Sequence, residues 1–325
     1  MYGKASIIIL GTFLVGSMFI QPALGAEFPT KPVEIYIGYV AGNPFDVLSR
    51  LIADTAPKYL GQPVVVINKP GAGGSVAAAE VIASKPDGYK LICTTNFFFA
   101  STTKTQKIPF DPNHLTPLVN LMEYIEGMCV RGDSPWKTLD DLLDYGRKNP
   151  GKLSWAHTGR GTLGHIIFLS LFRKAGVETI DIPYKGVPEK TAALLGGHVD
   201  ASQMTYGNIQ DHVKAGKMRF LMFFSDKRYR EQPDVPTVVE LGFPEMKKVV
   251  VYSGYFIHRD TPEQIKKILF DAFKKTYEDP EFKKRLEKIG DSPRFEGPEF
   301  VKERIKEGEE IVVPVLKELG LYVEN

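Results

Sequence analysis

Short apolar, β-branched runs alternate with stretches of helical periodicity, and this alternation constrains the fold more than anything else in the sequence. Residues 33–40 (VEIYIGYV) read as a strand. Residues 44–60 follow with Phe45, Leu48, Leu51, Ile52, Thr55 and Tyr59 at helical spacing. Residues 64–67 form a second strand, 71–74 a glycine-rich loop, 76–84 an alanine-rich helix and 91–95 a third strand. Such repeats imply parallel pairing through right-handed crossovers.

The pattern then restarts. Strands are predicted at 128–131, 153–157, 179–183, 201–204 and 220–224, with helices at 139–148 (capped by Thr138), 162–175 and 189–195. Residues 249–257 form an apolar run able to return to the first sheet. Residues 262–290 and 298–319 form charged amphipathic helices, the second kinked at Pro314. The expected architecture is α/β, with two lobes and a ligand cleft between them. Lobe one comprises 27–127 plus 250–325, and lobe two, 128–249, is inserted into it. Open α/β sheets bind ligands beyond the C-terminal ends of their strands, and a domain interface is a favoured place for a pocket.

Residues 1–26 read as a signal peptide: Lys4, an apolar run over 5–20, then small residues with cleavage after Gly25 or Ala26. The run of about 16 residues is short of the roughly 20 that span a bilayer. The mature protein is therefore expected to be soluble and periplasmic, without a lipid anchor on a cysteine after the leader. A formal net charge of +2 gives no basic field for nucleic acid. Cys93 and Cys129 each lie in an apolar strand-like run and are expected as buried free thiols; two cysteines alone make no ordinary zinc site.

Four strand-to-helix junctions carry the chemistry. They are Tyr39–Asp46, Asn68–Ser75, Ala156–His165 and Tyr184–Glu189. In the first, Asn43 suits a helix N-cap, Pro44 the first helical position, and Asp46 the third, where a carboxylate bonds back to the cap. Each junction places backbone N–H groups at a helix start, where the helix dipole also favours an anion. One such dipole contact is worth about 0.3–1 kcal/mol, and charge-assisted hydrogen bonds about 1.5–3 kcal/mol each. Several together reach the roughly 8 kcal/mol of a micromolar complex.

Catalytic constellations are weak. There is no G-x-S-x-G elbow, phosphate-binding G-x-x-x-x-G-K-[ST] or H-E-x-x-H. Gly159, Gly161 and Gly164 fit G-x-G-x-x-G, with Asp181 about 20 residues on. Asp181, however, falls inside the next strand rather than at its end, and an exported protein leaves the nicotinamide pool behind. His157 and His165 are able to share a metal but are expected to be structural. Phe97, Phe98 and Phe99 follow the third strand and are read as core.

At these junctions the chain resembles the periplasmic receptors of tripartite tricarboxylate transporters, the Bug-type receptors. Asn68-Lys69-Pro70-Gly71-Ala72-Gly73-Gly74 resembles the family's E-N-R-P-G-A-G-G segment, and Phe28–Pro32 its mature start. Pro86-Asp87-Gly88-Tyr89, Pro109–Pro112, Asn149–Leu153, Pro183-Tyr184-Lys185-Gly186, Leu195–Asp200 and Pro233–Thr237 also recur in it. Gly159, Gly161, Thr162 and His165 resemble its G-x-G-S-x-x-H loop. The likeness runs in order from about 30 to 260. It implies the type II periplasmic-binding-protein fold and a receptor that captures a small organic carboxylate for a membrane permease. It also implies a monomer with no enzymatic activity, cofactor or metal.

Carried over residue by residue, the resemblance places ligand contacts at Tyr39, Val40, Gly42, Asn43 and Asp46, with Thr158, Gly161 and Thr162 opposite. Thr94, Asn96, Lys185, Gln203 and Thr205 follow at strand ends. The family's P-G-G-x-x-D loop reads Ala41-Gly42-Asn43-Pro44-Phe45-Asp46 here. One Gly fewer and an added Pro stiffen the loop and remove a donor, which implies an unusual or bulkier ligand. Two other classes are weighed beside the receptor. A periplasmic sensor component binds the same ligand but docks on a kinase. A periplasmic hydrolase needs the nucleophile motif that the sequence lacks.

Overall fold

A computed structural model describes residues 28–225, 227–244, 246, 250–289 and 292–324. The predicted leader lies outside the described residues. The elements run β1 (Val33–Ile37), α1 (Pro44–Thr55), α2 (Pro57–Leu60), β2 (Val64–Asn68), α3 (Ser75–Ile82), β3 (Lys90–Thr95), α4 (Asn96–Ala100) and β4 (Leu115–Tyr124). Then follow β5 (Glu126–Arg131), α5 (Leu139–Lys148), β6 (Leu153–His157), α6 (Leu163–Lys174), β7 (Thr179–Pro183), α7 (Val187–Leu195), β8 (Ala201–Thr205), α8 (Tyr206–Lys214) and β9 (Met218–Phe223). The chain closes with β10 (Val251–His258), α9 (Glu263–Glu278), α10 (Pro280–Glu287), β11 (Ser292–Glu296) and α11 (Pro298–Glu318).

Two sheets form, in the orders β11-β4-β10-β3-β1-β2 and β7-β6-β8-β5-β9. Strands joined by helical crossovers pair in parallel, as crossover connections require: β1 with β2 and β3, and β6 with β7 and β8. The chain passes to the second sheet at Ile125 and returns through β10, which is antiparallel to both β3 and β4. The run predicted at 249–257 thus rejoins the first sheet. Each sheet sits in its own lobe, with its parallel strands aimed toward the gap between them.

Local chemistry sets the element ends. Thr138 caps α5 in a reciprocal box: its hydroxyl accepts from the Asp141 N–H at 3.2 Å, and Asp141 Oδ2 accepts from the Thr138 N–H at 2.9 Å. Proline breaks two segments predicted as single helices. Pro57 separates α1 from α2 and Pro280 separates α9 from α10, because the ring clashes with the preceding turn and has no N–H to give. Asp279 then caps α10, accepting from Glu281 and Phe282 N–H. Pro314 lies inside α11, which continues through it.

Four elements were not anticipated: α4, α8, β4 and β11. In β4, Pro117 stands opposite Phe256 at an irregularity in the β4–β10 pairing, and beyond the stretch that β11 pairs. The core is densely aromatic. Trp155 is fully buried, stacks on Phe168, and donates from Nε1 to Thr179 Oγ1 at 3.1 Å. Cys93 and Cys129 are both buried and free. Phe97, Phe98 and Phe99 are buried as expected.

Candidate functional site

One cavity lies where the two sheets face each other. Tyr39, Val40, Asn43, Pro44 and Phe45 line it from the β1–α1 junction, Thr95 from the end of β3 and Phe97 from α4. Lobe two contributes Thr158, Thr162, Leu163 and Gly164 from the β6–α6 junction, and Lys185, Gly186, Val187 and Lys190 from β7–α7. Gln203, Met204, Thr205 and Asn208 come from β8–α8. The junction loops of the two lobes touch: a Cβ on Gly186 would stand 2.7 Å from Val40 Cγ2.

The walls are largely apolar. Tyr39, Phe45 and Tyr124 form an aromatic row, with ring centroids 5.4 and 5.3 Å apart. Burial, with smaller contributions from Cys93 and Glu126, pushes the Tyr39 hydroxyl up to about 12, so it is a neutral group at any working pH.

The amide donors divide unequally between the lobes. In lobe one the protein fills its own helix start. Asn43 Oδ1 accepts from Phe45 and Asp46 N–H at 2.9 and 3.2 Å, and Asp46 Oδ2 accepts from Gly42 N–H at 2.9 Å. Lobe two presents three starts, at Thr162 (α6), Gly186 (α7) and Thr205 (α8), none with a side-chain cap on its helical N–H groups, although Glu189 Oε2 accepts from Lys185 N–H at 3.1 Å and His165 Nδ1 from Gly161 N–H. Donors for a carboxylate therefore gather on lobe two, whereas the sequence suggested both lobes equally. The second glycine-rich junction is not in the cavity at all: Gly74 packs on Gly38, and Tyr39 OH donates to Gly73 O at 3.3 Å.

Beneath those starts lies a buried polar chain. Lys190 Nζ donates to the backbone carbonyl of Gln203 and, at 3.0 Å, to its Oε1. Gln203 Nε2 donates to Glu126 Oε2 at 2.8 Å. Burial draws Lys190 down to about 8 despite the pull of Glu126, which leaves it mostly protonated at neutral pH. Burial raises Glu126, against the opposing effects of Lys190 and Gln203. Sequence reasoning found Gln203 but missed Glu126 and Lys190. The available signals were a carboxylate opening the apolar run Glu126–Val130, and a lysine in register with Ala193 and Leu194 on the buried face of α7.

Of the residues singled out from sequence, Tyr39, Val40, Asn43, Thr158, Thr162, Lys185, Gln203 and Thr205 line the cavity. Gly42, Asp46, Thr94, Asn96 and Gly161 are not among its lining residues. Asp46 is buried and pairs with Arg50 at 2.9 Å. Burial opposes its ionisation, but Arg50, Gly42 N–H and Asn68 hold its carboxyl below the usual range. Thr94 is buried in β3 opposite Gly254. Asn96 clips the returning strand, accepting from Tyr252 N–H at 3.0 Å and donating to Val250 O. Gly161 joins the lobes: its carbonyl accepts from Ser101 Oγ, its φ is +76°, and a Cβ there would lie 2.2 Å from Thr105 Oγ1.

His157, His165 and Asp181 form a second cluster, their nearest ligand atoms all within 4.8 Å. Each imidazole Nδ1 accepts a backbone N–H, from Gly159 at 3.1 Å and Gly161 at 3.2 Å. Each Nε2 therefore carries the proton and faces Asp181 Oδ2, at 3.2 and 3.5 Å. With both Nε2 atoms protonated, the cluster suits hydrogen bonding rather than metal ligation. It holds the β6–α6 loop. Asp181 is thereby engaged by the two histidines and by Arg160 at 3.2 Å.

A model of the family described as tripartite tricarboxylate transporter family receptor matches residues 48–321. A Cupriavidus necator protein described as "UPF0065 protein in gbd 5'region" is 39% identical over 253 residues, covering 78% of this chain and 76% of that one. Among solved structures, the periplasmic binding protein BugD aligns with a TM-score of 0.83 at 27% identity, over 91% of this chain and 100% of that one. An R. palustris protein solved with adipate aligns with a TM-score of 0.82 at 25% identity, over 90% of this chain and 99% of that one.

Proposed function

The chain belongs to the tripartite tricarboxylate transporter receptor family, and from that premise we propose that it is a periplasmic receptor whose two lobes close on a small organic carboxylate and present it to a membrane permease. One observation carries this reading. A single cavity between the lobes collects three uncapped helix starts and two lysines, all from lobe two, against an aromatic wall from lobe one. A carboxylate seated on lobe two and an organic body packed on lobe one would each favour the closed form, and closure needs that differential affinity.

In this reading lobe one comprises 27–127 with 250–325 and lobe two 128–249. The protein is exported by its leader and acts as a monomer. It binds rather than transforms, since Lys190 and Glu126 are engaged with Gln203 rather than set against a nucleophile.

The test is a thermal-shift screen of purified protein with aliphatic, aromatic, hydroxylated and amino monocarboxylates, and with di- and tricarboxylates. A ligand at 100 times its Kd adds about 2.7 kcal/mol, which raises Tm by several degrees in a protein of this size. Failure of every acid to raise Tm would refute the receptor reading.

A further inference from the structure

A carboxyl group, Glu126, stands in the cavity wall, where the Gln203 amide donates to it and Lys190 opposes the effect of burial. Glu126 is only 8% exposed and lines the cavity beside Gln203 and Lys190. The Gln203 amide is oriented by both neighbours, its N–H₂ toward the Glu126 carboxylate and its Oε1 toward the Lys190 ammonium. Two of the three Lys190 N–H groups are committed to Gln203, which leaves one for a ligand.

Resting on the receptor reading above, we propose that Glu126 makes this site select monocarboxylates with an apolar body and a hydrogen-bond donor, and reject di- and tricarboxylates. Lys185 and Lys190 against Glu126 leave one net positive charge among the lining residues, which matches a single ligand carboxylate. That carboxylate takes the remaining Lys190 N–H and the open starts of α6, α7 and α8. A second carboxylate would meet Glu126 in a site screened from water, where like charges repel strongly. A ligand hydroxyl or amine instead gives Glu126 a proton to accept. Phe45, Phe97, Tyr124, Leu163, Val187 and Val251 supply the apolar surroundings of the ligand body.

The test compares end groups on matched skeletons by calorimetry of the full mature protein. Hexanoate, 6-hydroxyhexanoate and adipate form one series; benzoate, 4-hydroxybenzoate and terephthalate form the other. In the wild type the hydroxylated acid should bind at least as tightly as the plain one, and the diacid about tenfold or more weaker than either. Glu126→Gln keeps the shape and removes the charge. It should shift the diacid-to-monoacid affinity ratio toward the diacid by a similar factor. Lys190→Met should weaken every acid.

A wild-type diacid that binds as well as its monoacid overturns the proposal, whether or not the variants fold. So does an unmoved ratio in Glu126→Gln. Binding of other panel acids with neither series bound also overturns it, whereas no response to any acid sinks the receptor reading itself.

Discussion

Replacing Gly186 with alanine should hold the lobes apart without disturbing either one. Gly186 caps α7 with φ −178° and ψ −175°, an extended backbone that any residue adopts, so the substitution brings no conformational strain. The new Cβ would stand 2.7 Å from Val40 Cγ2 in the opposite lobe. Carbon atoms in good contact sit about 3.5–4.0 Å apart, which makes the shortfall about 1 Å. The valine methyl is short and its χ1 is stiff, so it yields little. Overpacking of this kind costs about 1–3 kcal/mol.

Because the collision exists only when the lobes meet, the cost falls on the closed form. It should lower the affinity for whichever acid binds by about 5- to 150-fold. Calorimetry of Gly186→Ala measures this directly. Val40→Ala removes the opposing methyls, and the double variant should recover most of the lost affinity. Unchanged affinity in Gly186→Ala, or no recovery in the double variant, would refute the reasoning that these loops close against each other on the ligand.

Other outcomes follow from the same structure. Lys69 and Lys90 hold the Glu80 carboxyl at about 2 against an ordinary 4.5. Its contribution to stability is therefore present above pH 4.5 and lost as pH falls through 2, and Glu80→Gln should flatten the acid limb of a stability-versus-pH curve in that window. Lys190 titrates at about 8 when folded against 10.5 ordinarily. The unfolded chain thus binds more protons between those values, and ligand-free wild type should gain stability relative to Lys190→Met as pH rises from 8 to 10.5. Thr138→Ala should cost about 1 kcal/mol in urea unfolding by removing one half of the α5 capping box. Phe168→Ala, emptying a site stacked on Trp155, should cost about 3–5 kcal/mol.

The parts of the fold legible in the sequence were those written in short-range chemistry. Thr138 as a cap marked the start of α5, and β-branched runs marked β1, β2 and β7. The hidden parts depend on what packs against them. Nearly every residue of β4 is buried, so it shows no alternation, and it carries a proline and an asparagine that argue against a strand. The polar helix α8 buries only Tyr206 and Ile209, too few to show a periodic face.

The site divides in the same way. Glycines, prolines and caps announced the junction loops, and three of the four junctions meet at the cavity. The sequence also named Asn43 as a cap and Asp46 as a carboxylate returning to the cap amide; Asp46 instead accepts from Gly42 N–H, one residue earlier, and the two side chains together close the lobe-one start to a ligand. Glu126 and Lys190 carried only faint signals, because a charge reads as solvent-facing until the tertiary fold buries it.

The account's central claim is tested most directly by a crystal structure of the protein with a bound acid from the screen. It predicts that the carboxylate lies within hydrogen-bonding distance of the α6, α7 and α8 starts and of Lys190, with the ligand body against Tyr39 and Phe45. An acid bound outside the cleft, or seated within it and touching none of those three helix starts, would contradict the claim.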